Sequence, residues 1–145
     1  MKKALSIFFL LLSLLAFKNI AYAETPIDAC FNFNKSGDYK RAIEAGQSAI
    51  KKYPYNAGAY YCLGEAYFNI GELKLAYEKM KKAESLTSNK KDLMYIYNWT
   101  GLILDNMGYL DDALLYYSRS FNLARNLGNT AMQAAILNNI ALIYG

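Results

Sequence analysis

The chain has 145 residues, 54% of them apolar, enough for one modest packed domain. It has no histidine. That removes the usual general base, the commonest metal ligand, and every Ser-His or Cys-His dyad.

The N-terminus reads as an export leader. Lys2 and Lys3 precede the apolar run Ala4 to Phe17, and Ala21 to Ala23 form a small-x-small cleavage site. A spanning helix needs roughly 20 apolar residues, and Lys18 and Asn19 end this run sooner. Residues 1–23 are therefore expected to be a signal peptide, with a retained anchor as the alternative. The mature chain is expected to be exported to a bacterial periplasm or the cell exterior. Losing Lys2, Lys3 and Lys18 leaves 13 Lys and Arg against 12 Asp and Glu. So little net charge gives no strong pull on nucleic acid or anionic lipid. The basic stretch Lys79 to Asp92 is interrupted by Glu78, Glu84 and Asp92 and reads as a solvated helix face.

Helix-like runs follow, and they repeat. Turn glycines stand at Gly37, Gly71 and Gly108, and five residues later come Ala42, Ala76 and Ala113. Both series step by 34 and then 37 residues. Twelve residues before each alanine sit Cys30, Gly64 and Gly101; seven after it sit Ala49, Ala83 and Ser120. A glycine at φ > 0 ends one helix and reverses the chain. Small residues such as Gly64 and Ala76 let the paired helices approach closely. Pro54 falls where a second helix should stop.

These residues resemble the tetratricopeptide repeat (TPR), a 34-residue helix-turn-helix unit. The second unit, 57–90, matches at Tyr60, Leu63, Gly64, Tyr67, Gly71, Leu73, Ala76, Met80 and Ala83. The first unit, 23–56, keeps Phe33, Gly37, Tyr39, Ala42, Ala49 and Pro54. It departs at Cys30, where the family has glycine, and at Gly46, where it has an aromatic. The third, 94–127, keeps Tyr97, Gly101, Leu104, Gly108, Leu110, Ala113 and Tyr117. Three extra residues are assigned to a linker, Ser88 to Leu93, where insertion is cheap. Six more suggest a lengthened second helix and a loop around Gly128. Thr130 to Tyr144 then form the first helix of a partial fourth unit, in register over 134–145. The resemblance implies an all-α, right-handed superhelical solenoid of antiparallel helix pairs, about three and a half repeats long.

The last helix offers Ile136, Leu137, Ile140, Ile143 and Tyr144 for packing. Three accounts stand open: a piece of a longer solenoid, self-association or partner binding through this end, and a helix that caps the array.

Cys62 and Glu65 invite a catalytic reading, yet the chain has no histidine and no lysine lies within a turn of Cys62. No enzyme is expected. Cys30 and Cys62 lie on first helices of adjacent units, at the eighth and sixth positions. Their Cβ atoms are expected to point apart, which favours two unpaired thiols over a bridge. Asn98–Thr100 matches a glycosylation sequon, but mid-helix, and its use is not expected. Asp111 and Asp112 suit a helix N-terminus; a metal would need more oxygen ligands. No cofactor is expected.

What remains is a surface. In this family the first helices line a concave groove, and the resemblance assigns groove positions residue by residue. They are Ile27, Phe31 and Asn34 in unit one; Tyr61, Glu65 and Phe68 in unit two; Tyr95, Asn98, Leu102 and Asp105 in unit three; and Asn138 in the partial unit. Such a groove suits an extended or helical peptide. The family's chaperone-tail clamp uses lysine, asparagine and arginine, where this chain has Ile27, Phe31, Cys62, Tyr95 and Trp99; an acidic chaperone tail is not expected. The expected partner is a protein or peptide. Membrane contact is expected only through an uncleaved leader. The function implied is an exported interaction module, a scaffold or assembly factor of the envelope or secretion machinery. A glycan or small-molecule binder using the aromatic groove is the alternative, as is a fragment whose function lies in missing sequence.

Overall fold

The computed structural model describes residues 23–145. The leader expected over residues 1–23 lies outside them but for Ala23. Seven helices are present among the described residues, with no strand: α1 (Pro26–Ser36), α2 (Tyr39–Lys52), α3 (Ala57–Asn69), α4 (Leu73–Ser85), α5 (Lys90–Asn106), α6 (Leu110–Asn126) and α7 (Thr130–Tyr144). None of them is long and apolar enough to cross a membrane.

Local chemistry sets the ends of the helices. Thr25 caps α1 in a capping box with Asp28, and Asn56 and Asn129 accept from the third backbone N–H of α3 and α7. Gly37, Gly71, Gly108 and Gly128 all take positive φ, between 66° and 84°. Each follows a helix end, so these are the four turns that a side chain would strain.

One assigned insertion differs from the sequence reading. The three extra residues do not lengthen a linker; Lys90 to Leu93 form an added first turn of α5. Asn89 accepts from the Lys91 and Asp92 amides, and Asp92 sits in the positive first turn. A good cap and a favourable charge extend the helix into residues that the repeat pattern leaves unassigned.

Each helix packs on its successor. The first helices α1, α3, α5 and α7 also pack on one another in turn, whereas the backbones of α2, α4 and α6 stay out of mutual contact. One long side chain spans the outer row: Lys81 Nζ donates to Tyr116 Oη at 2.7 Å. Rows spaced closely on one side and widely on the other curve the array, with the first helices on its concave side.

Small residues set the spacing within each unit. A Cβ on Gly64 would lie 3.3 Å from the Ala76 carbonyl oxygen, so α3 and α4 are as close as their sequence implies. A Cβ on Gly101 would meet the Tyr117 ring at 2.8 Å. Ser120 Oγ donates to the Met94 carbonyl at 2.6 Å, joining α6 to α5 in the core. Buried in the same core, the Tyr117 hydroxyl has no hydrogen-bond partner among the described residues. An unsatisfied buried polar group costs about 1–3 kcal/mol. Tyr117→Phe is therefore expected to raise stability by about 1 kcal/mol, read from the urea midpoint. A clear loss would mean that the hydroxyl is satisfied.

α7 packs on α6 and α5. Ile136 is fully buried, Ile140 and Ile143 are half-buried against the same core, and Leu137, Leu142 and Tyr144 remain exposed.

Candidate functional site

The concave face is built from α1, α3 and α5. Phe31 stands on α1, 37% exposed, with its ring centroid 6.0 Å from that of Tyr61 on α3. One turn beyond Tyr61 comes Glu65, and then Phe68, on the same face of the helix. Phe68 meets Trp99 of α5 edge-on at 5.3 Å, and the Trp99 indole lies next to the Tyr61 hydroxyl. An aromatic strip thus crosses three first helices. At one end of it a cavity of about 460 Å³ is lined by Phe31, Tyr61, Tyr95, Asp92, Gly58 and Ile96.

Electrostatics follow from burial. Desolvation raises the Tyr61 hydroxyl well above its ordinary value, with the nearby Glu65 charge adding to it. Desolvation alone pushes the Glu65 carboxyl up; no cation offsets it. Glu65 takes part in neither of the two ion pairs found among the described residues, which are Asp38–Arg41 and Lys81–Glu84.

The structure separates the expected groove residues. Phe31, Tyr61, Glu65, Phe68 and Tyr95 come together. Leu102 and Asp105 continue along α5, half-buried. Asn98 reaches the next unit, its Oδ1 accepting from Asn139 at 3.3 Å, while Asn138 is exposed beside that contact. Asn34 is only 7% exposed, and its amide donates to the Cys62 carbonyl at 3.0 Å and to Cys62 Sγ at 3.2 Å. It ties α1 to α3.

The expectation of two unpaired thiols is corrected. Cys30 and Cys62 form a disulfide, their Cα atoms 6.2 Å apart. Neighbouring first helices are staggered, so the sixth position of one unit packs on the eighth and twelfth of the unit before it. Cys62 meets Cys30 and Asn34; one unit on, Trp99 meets Phe68 in the same relation. Different repeat positions therefore bring the sulfurs together. Trp99, which the resemblance assigns only to the clamp positions, joins the strip through the same stagger. Gly46 adjoins both the bridge and the next unit: a Cβ there would lie 3.1 Å from the Leu63 side chain and 3.3 Å from Cys30 Sγ. Units two and three place a small residue, Gly64 or Gly101, under a large one, Met80 or Tyr117. Unit one inverts the pair.

These features match known repeat proteins. The chain has a TPR-like fold. A TPR repeat-containing protein of Methanocaldococcus jannaschii is 31% identical over 107 residues, which are 74% of this chain but 18% of that protein, so this chain spans less than a fifth of its relative. The Rap conjugation gene regulator of plasmid pLS20, solved with a Phr peptide, superposes with a TM-score of 0.70 at 22% identity, covering 82% of this chain and 36% of that one. MamA superposes with a TM-score of 0.61 at 20% identity, covering 91% of this chain and 84% of its own. No family model matches the chain.

Proposed function

We propose that this chain is a TPR-like interaction module that binds a protein or peptide segment along its concave face. The observation that carries this reading is the strip of Phe31, Tyr61, Phe68 and Trp99 across three helices, open at an apolar cavity. Aromatic rings on a rigid scaffold supply large contact area at low entropic cost. The Rap regulator, of the same fold, was solved with a peptide, which supports the kind of partner.

The proposal extends to location. The leader-like N-terminus suggests export, and a scaffold or assembly role in the bacterial envelope or secretion machinery. The Cys30–Cys62 disulfide supports this, because such bridges persist in oxidising compartments and are rare in reducing ones.

A photo-cross-linking amino acid at Phe31 or Phe68, in the cells that make the protein, is expected to trap a partner. The same probe at Leu115, exposed on outer helix α6, is expected to trap none. The opposite pattern would reject the groove. In the same cells the mature protein is expected in the exported fraction, beginning at Glu24; a cytoplasmic chain retaining residues 1–23 would reject export.

A further inference from the structure

α3 is the central first helix of units one to three and carries a single charged residue, Glu65, with no lysine or arginine. The groove positions of units two and three hold Glu65 and Asp105 and no base. The basic residues lie mostly on the outer row: Lys40, Arg41, Lys51 and Lys52 on α2, and Lys74, Lys79, Lys81 and Lys82 on α4. The outer row carries acid as well, with Glu44, Glu78, Glu84, Asp111 and Asp112 on α2, α4 and α6, but base outnumbers acid there, whereas acid slightly outnumbers base on the first helices.

Glu65 sits where this polarity is sharpest. Tyr61 and Phe68 flank it on α3, and Trp99 of α5 reaches both of those residues across the valley. Among the described residues the carboxylate has no ion-pair and no hydrogen-bond partner, although it is half-buried. An ionised carboxylate held that way costs free energy unless something pairs with it. Ring faces beside a carboxylate attract a cation twice, through the quadrupole and through the charge.

Building on the groove reading above, we propose that the partner is read through a lysine or arginine side chain. The cation seats on the Glu65 carboxylate between the rings of Tyr61, Phe68 and Trp99, while apolar residues of the same segment occupy the cavity beside Phe31 and Tyr95. The occupant is thus a basic-aromatic or basic-aliphatic peptide segment, opposite in charge to an acidic tail.

A phage-displayed random decapeptide library, panned on the purified full chain, tests this. Enriched peptides are expected to carry lysine or arginine in excess of the input pool. In a synthetic copy of one such peptide, lysine→norleucine is expected to weaken binding about tenfold, the lower end of what a partly desolvated charge pair contributes. Glu65→Gln is expected to cost the same, and against that variant the norleucine exchange should make no further difference. The melting temperature of Glu65→Gln should equal or exceed that of the wild type, which separates a residue awaiting a ligand from one that holds the fold. Enrichment of acidic peptides would overturn the proposal, as would a wild-type affinity indifferent to norleucine. If Tyr61→Ala with Phe68→Ala abolishes binding but the charge exchanges do nothing, the groove stands and this inference falls. If that double variant binds every selected peptide as the wild type does, the groove reading falls and takes this inference with it.

Discussion

Reducing the Cys30–Cys62 disulfide is expected to lower stability by about 3–4 kcal/mol. The bridge closes a loop between residues 32 apart, and the chain entropy that the denatured state regains when a loop of that size opens gives this magnitude. The loss should be uneven. Among the described residues α1 is the first helix and packs only on α2 and α3, so without the bridge it is held there by one flank of apolar contact, by Asn34 and by its cap. Amide exchange should therefore accelerate in α1 and α2 and change little in α5 and α6. Urea unfolding with and without reductant reads the first effect; exchange read by mass spectrometry reads the second. Identical urea midpoints in both conditions would mean that the bridge is absent or contributes nothing. Phe31 and Tyr61 adjoin the two cysteines in sequence, so the same bridge sets the distance between two groove rings.

Gly101→Ala is expected to destabilise by about 1–3 kcal/mol through overpacking. A methyl there would stand 2.8 Å from two ring carbons of Tyr117, which is fully buried and cannot swing away. Helix propensity alone predicts the reverse, a gain of up to about 1 kcal/mol for alanine over glycine. The sign of the change thus decides between packing and propensity. Gly64→Ala is expected to cost less, because its first contact is the terminal methyl of Met80, the far end of a flexible side chain. Urea midpoints for the two variants test both the sign and the ranking. A Gly101→Ala protein more stable than the wild type would show that α5 and α6 can part without penalty.

Much of the fold was legible because its rules are short-range. Gly37, Gly71 and Gly108 lie where each helix must turn, and all three adopt the left-handed backbone that the turn requires. Gly64 and Ala76 are small because their own helices touch. The concave aromatic face was legible in part. Phe31, Tyr61, Glu65, Phe68 and Tyr95 gather on the concave side, whereas Asn34 turns inward to Cys62 and Trp99 joins from the next unit. The sequence did hold one unread signal for the bridge. Cys30 and Gly46 depart from the repeat together, and a joint departure at two packed positions marks an exchange of volume rather than two separate accidents.

The sequence by itself determined the period, the turns and the helix pairs, since each depends on residues within one unit and on backbone geometry that glycine alone tolerates freely. The tertiary structure decided the disulfide, the loss of Asn34 to the interior and the arrival of Trp99 beside Phe68 and Tyr61. Those depend on the stagger between neighbouring first helices, which sets the sixth position of one unit against the eighth and twelfth of the last. That offset is a property of packed surfaces, and a repeat pattern aligned unit by unit does not contain it.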